Sequence, residues 1–133
     1  MQRLLQIAAV LLPIFFCGRL AAQSAEFDVF IPIGKYMAQG DADKLSAWFD
    51  DNLEIAVVSQ ASSASKAQAR QILRTFFESN SPRSFDISHT AGKDNMKYAL
   101  GTLKAGGESY SVTIFVSHKG KFFKIQQLKI ESQ

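Results

Sequence analysis

From Ser84 to the end, apolar and polar residues alternate in four runs separated by glycine-bearing turns. This is the period-2 pattern of strands with one face buried. The runs are Phe85–Ala91, Met96–Lys104, Glu108–Ser117 and Phe122–Ile130, with turns at Gly92–Asn95, Gly106-Gly107 and Gly120. Short turns make consecutive strands antiparallel neighbours, so this half predicts a four-stranded meander. In the last run the apolar parity jumps from Phe123 and Ile125 to Leu128 and Ile130, which predicts a bulge near Gln126-Gln127. Between the second and third runs, pairing Lys104 with Glu108 sets Leu100 opposite Val112 and Tyr98 opposite Ile114. A slip of one residue would put Gly101 and Ala99 there instead, so the first register is the expected one.

One face of such a sheet must be covered, and the preceding half supplies the cover. A first helix is expected from around Phe30, with Pro32 in its first turn, to a left-handed stop at Gly40. Asp41 caps a second helix, Ala42–Phe49, that buries Leu45, Trp48 and Phe49. Leu53–Val58 reads as a strand and the serine-rich Ser59–Ser65 as a loop. Ser65-Lys66-Ala67-Gln68 is a capping box opening a helix to about Glu78, with Ala69, Ile72, Leu73, Phe76 and Phe77 on one face. Asn80 and Pro82 end it. The expected class is α+β, with three helices on one face of a curved, mainly antiparallel sheet.

The start of the chain carries an address. Met1–Arg3 is basic and Leu4–Phe16 is an apolar run of thirteen residues broken only by Gln6 and Pro13. A membrane-spanning helix needs about 20 residues, so this run suits a cleaved signal peptide. Cleavage after Ala22 divides the chain into a leader, 1–22, and one mature domain, 23–133; cleavage after Ser24 is the other candidate. Acylation at Cys17 is disfavoured, because Phe15 and Phe16 stand where lipoprotein signals want small residues. The mature chain is then exported, periplasmic or secreted, with neither disulfide nor integral membrane segment. Without Arg3 and Arg19 it carries thirteen Lys+Arg against twelve Asp+Glu. So near-neutral a surface argues against a nucleic-acid partner, which demands clustered positive charge.

The order helix–Gly40-Asp41–helix–strand–helix–meander resembles the cystatin-like, nuclear-transport-factor-2-like superfold, and Tyr36–Asp41 followed by Leu45 and Phe49 is similar to its common opening. More narrowly, the chain resembles an uncharacterised family of small exported bacterial proteins with that fold. The likeness rests on Phe76-Phe77, Pro82, Phe85, His89-x-x-Gly92, Tyr98-x-x-Gly101-x-Leu103 and Ile125–Glu131. The resemblance implies a cone-shaped pocket between sheet and helices, and in many members a homodimer through the sheet's outer face. Some members are isomerases, dehydratases or cyclases, whereas others only bind.

Within that frame the expected pocket wall is Trp48, Phe76, Phe77, Tyr98 and Tyr110, with His89 and His118 near the mouth. The inward parities carry no Asp or Glu, so a raised-pKa carboxylate base has no seat. Two His about 9–10 Å apart, with no Cys or inward carboxylate, do not make a metal site. Neither metal nor cofactor is expected. Lys119, Lys121 and Lys124 read as a solvated hairpin, and Gly106-Gly107 as a turn rather than a phosphate loop. The favoured function is a non-catalytic domain binding a small apolar ligand or a protein partner. One alternative is an isomerase- or dehydratase-type enzyme with His89 as base and Tyr98 as donor. The other is a dimeric interaction module working through the outer face, where Ser109, Ser111, Thr113 and Ser117 alternate with Phe115.

Overall fold

The computed structural model describes residues 25–133. The leader, the residues preceding both candidate cleavage points and Cys17 lie outside the described residues. A 3-10 turn at Ala25–Phe27 leads into α1 (Phe30–Gln39), which stops at Gly40 with φ 66°. A left-handed glycine there lets Asp41 N–H donate back to Tyr36 O at 3.0 Å, closing the last turn. Asp41 then caps α2 (Ala42–Ser46), its Oδ1 accepting from Lys44 N–H at 3.0 Å. The capping box is present at α3 (Lys66–Ser79), where Ser65 and Gln68 satisfy each other's N–H groups.

The second helix is shorter than its periodicity suggested, because β1 (Phe49–Val57) claims its tail. Ile125 N–H donates to Trp48 O at 2.6 Å and Phe49 lies beside Ile125, so the chain here is already a parallel neighbour of the last strand. The serine-rich segment expected as a loop is also a strand, β2 (Gln60–Ser65), paired antiparallel with β1. Its side chains give no alternation to read; the hairpin register and main-chain bonds make it a strand. The turn between them places Val58 at φ 59°, at the first central position of a two-residue hairpin loop, where glycine is favoured. A β-branched residue is strained there, so Val58→Gly is expected to raise the unfolding free energy by about 1 kcal/mol in urea denaturation.

Four strands follow: β3 (Pro82–Lys93), β4 (Met96–Ala105), β5 (Glu108–Lys119) and β6 (Phe122–Ser132). The sheet has six strands in the order β2-β1-β6-β5-β4-β3, antiparallel except for β1 beside β6. The α+β class and the three helices on one face hold, but the cone does not. The two end strands β2 and β3 do not meet, and the sheet is neither closed nor strongly curled. Ile33, Met37, Leu45, Phe49 and Leu73 are fully buried against Val112, Ile114, Val116, Ile125, Leu128 and Ile130.

The bulge in β6 falls where the parity jump put it: Phe115 pairs with Gln127 and Val116 with Ile125, leaving Gln126 extra. Gln126 donates from Nε2 to Asp50 Oδ2 at 2.9 Å, Asp51 N–H donates to Oδ1 at 2.8 Å, and Lys119 Nζ lies 3.5 Å away. Burial pushes the Asp50 carboxyl up, but the bonds from Gln126 and Asp51 and the Lys119 charge outweigh it and hold the group below its ordinary 3.8. A depressed folded value adds stability that is present above the unfolded value and lost as pH falls through the folded one. Asp50→Asn is therefore expected to flatten the loss of stability between about pH 5 and pH 2, read by denaturant unfolding at each pH.

The β4–β5 register corrects the sequence expectation. Ala105, not Lys104, pairs with Glu108, so Gly101 faces Val112 and Ala99 faces Ile114. Gly106 and Gly107 have φ 58° and 81° and form a two-residue loop, the geometry that matches strand twist and closes the hairpin one residue tighter. Inward-facing small residues then have a purpose. The Phe85 ring lies between Gly34 of α1 and Gly101 of β4, filling space that larger side chains would deny it.

Candidate functional site: the outer face of the sheet

Register decides which side each candidate residue takes. With Ala99, Gly101 and Leu103 inward, Met96, Tyr98 and Leu100 face outward. A second irregularity moves His89. The β3–β4 pairing jumps between Ile87 and His89, so Ser88 is extra and His89 lands opposite Leu100 on the outer face. His89 is exposed, and its ring lies 6.0 Å from that of Tyr98. The structure thus joins the His89–Tyr98 pair, but in the open rather than in a pocket. His118 lies at the sheet's end on the inner side, exposed, with its ring 4.0 Å from that of Phe123. The two imidazoles occupy opposite faces, and β3 continues four residues beyond His89, so they do not form a mouth.

The remaining wall residues separate too. Phe76, Phe77 and Tyr110 are core, packed edge to face with centroids 5.8 Å apart for Phe76–Phe77 and 5.3 Å for Phe76–Tyr110. Tyr110 donates its hydroxyl to Asn80 Oδ1 at 3.3 Å. Trp48 is half-buried against the core margin. Surface clefts lie elsewhere. One of about 370 Å³ adjoins the Gly40-Asp41 turn and Arg74, and includes Phe77. Another, of about 570 Å³, runs between β2 and α3 beside Gln71, Ile72 and Thr75. Among the described residues, no three His, Cys, Asp or Glu side chains gather as a metal group, and no helix is long and apolar enough to cross a membrane.

What the structure does assemble is an apolar stripe on the uncovered face. Tyr98 pairs laterally with Ala91 and Phe115, Leu100 with His89 and Thr113, and Met96 lies one pleat further on. Met96 is 49% exposed and Leu100 37%; Tyr98 and Phe115 are half-buried. Asp86, Lys93, Lys104 and Glu131 rim the stripe with both signs of charge. Such a face excludes water when another surface meets it, whereas nothing on it encloses a reacting group.

Sequence reasoning missed Lys97. The expected register sent it outward; the observed one turns it inward, and it is only 7% exposed. The signal was available in Gly106-Gly107, since a loop of that kind fixes the β4 parity.

Three helices on one face of an open six-stranded sheet, with the opposite face left bare by the described residues, define a small α+β domain of the cystatin-like kind. Residues 30–131 match the model of a family described as Domain of unknown function (DUF4783), and the chain belongs to that family. A DUF4783 protein from Bacteroides uniformis superposes with a TM-score of 0.74 at 19% identity, over 77% of this chain and 94% of that one. A domain of unknown function with a cystatin-like fold from Nostoc punctiforme gives 0.65 at 8% identity, over 85% and 78%. A putative calcium/calmodulin dependent protein kinase II association domain from Xanthomonas campestris gives 0.62 at 13%, over 80% and 84%. At these identities the structures share the fold. No curated protein matches the chain.

Proposed function

We infer that the chain is an exported, non-catalytic partner-binding domain that associates with a second copy of itself through the outer face of β3–β5. The observation that carries this is the stripe of Met96, Tyr98, Leu100 and Phe115, left bare while the helices fill the opposite face. A rim of mixed sign lets two such faces meet under a two-fold axis without a single-sign clash. The Xanthomonas campestris protein, which carries the name of an association domain, supports the same use of the fold. The basic start and the apolar run Leu4–Phe16 support export.

Sedimentation velocity over rising concentration tests this. Wild-type chain is expected to shift from monomer to dimer. Leu100→Glu, which puts a charge into the stripe but not into the core, is expected to weaken association by about tenfold or more with an unchanged melting curve. A wild type that stays monomeric into the millimolar range, or a Leu100→Glu chain that associates equally well, would reject the outer face.

A further inference from the structure

We propose that Lys97 is the centre of a second site, on the inner face, that binds an apolar monocarboxylate, and that the turn Ala25–Phe27 occupies this site as a stand-in for the ligand. Among the described residues, Lys97 is the single charged side chain in the buried set. An ammonium withdrawn from water is costly unless an anion compensates it. No carboxylate does so here: the ion pairs of the described residues are Arg74–Asp43, Lys119–Asp50 and Lys129–Glu131. Lys97 instead donates from Nζ to the main-chain carbonyl of Glu26. Its Nζ also lies 5.2 Å from the ring centroids of both Phe27 and Phe123.

That partner set has the outline of a ligand. The Glu26 carbonyl oxygen on the ammonium and the adjacent Phe27 ring together present what an aryl or alkyl acid would present: one oxygen acceptor beside an apolar body. A carboxylate in place of the carbonyl exchanges a neutral acceptor for a charged one, giving a hydrogen bond roughly twice as strong. It also neutralises the cation where the surroundings screen it least. The apolar body would take the place of Phe27 against Phe123. The turn lies at the margin of the fold, with Glu26 exposed and Phe27 half-buried against the core. The ligand class follows from the wall. One cation suits one carboxylate, and the Phe123 ring, against which Phe27 now lies, suits an apolar remainder rather than a sugar or a phosphate ester.

This site is on the opposite face from the stripe and does not depend on self-association. Phenylacetate, which joins a ring and a carboxylate, is the probe, and its neutral isostere phenylacetamide is the control; calorimetric titration reads both. The acid is expected to bind one-to-one and at least about tenfold more tightly than the amide. Phe27→Ala removes the competing ring and is expected to tighten the acid by a similar factor, and adding Lys97→Met is expected to abolish that gain. Leu100→Glu is expected to bind phenylacetate as the wild type does, which separates this site from the outer face. Equal affinity for acid and amide would overturn the proposal, and that comparison needs no variant. So would unchanged acid binding in Lys97→Met, or no saturable binding to Phe27→Ala.

Discussion

Phe49→Ala is expected to lower the unfolding free energy by about 3–5 kcal/mol, the range for truncating a fully buried aromatic. Phe49 has no exposed surface and opens β1 beside Ile125, where the parallel pair joins the α2 turn to the middle of the sheet. Its removal leaves a void that the α2 turn and β6 cannot both collapse into, because each is held by main-chain bonds such as Ile125 N–H to Trp48 O. Domains of this size have about 5–15 kcal/mol in total, so the variant would be partly unfolded on modest heating. Urea denaturation with an unchanged slope checks it. Phe49→Leu, which keeps most of the volume, should cost less than about 1.5 kcal/mol. A loss below about 1 kcal/mol for the alanine variant would mean that this side chain does not sit in the core.

Gly101→Val is expected to cost about 1–3 kcal/mol, and its sign tests the β4–β5 register. In the observed register a Cβ at this position would lie 2.7 Å from the Asp86 main-chain oxygen and 2.9 Å from the Phe85 ring. The oxygen belongs to the neighbouring strand, so relief requires parting the β3–β4 ladder or expelling Phe85 from its place against Gly34. In the alternative register the same residue would face outward, where a valine suits a strand better than glycine does. Destabilisation therefore supports the tight two-glycine hairpin. A neutral or stabilising result would support the longer loop.

What the sequence made legible was local. Caps, the Gly40 stop, the box at Ser65 and the parity break at Gln126 each rest on groups within a few residues of one another, and all appear in the structure. What stayed hidden was non-local. Phe49 has helical spacing from Leu45, and only its pairing with a strand over seventy residues later makes it β. The Ala-Ser run of β2 has no apolar face to read and becomes a strand through β1. The inner and outer sides of β3 and β4 hinged on one extra residue, Ser88, and on one residue of loop length at Gly106-Gly107. Those two single-residue effects moved His89 and Tyr98 from the expected pocket, and Leu100 from the expected inner side, to the bare face, and brought Lys97 inside. His89 and Tyr98 changed side because a period of two turns every one-residue error into a change of face.

The bare face has a built-in reporter. Met96 is 49% exposed at the edge of the stripe, whereas Met37 has no exposed surface in the core. With methionine methyl groups labelled, a soluble paramagnetic agent broadens the NMR lines of those methyls it can reach. The Met37 line should stay sharp at every protein concentration. The Met96 line is expected to be broadened in dilute samples and shielded as concentration rises, with Leu100→Glu restoring the broadening. A Met96 line equally broadened at all concentrations would contradict association through this face.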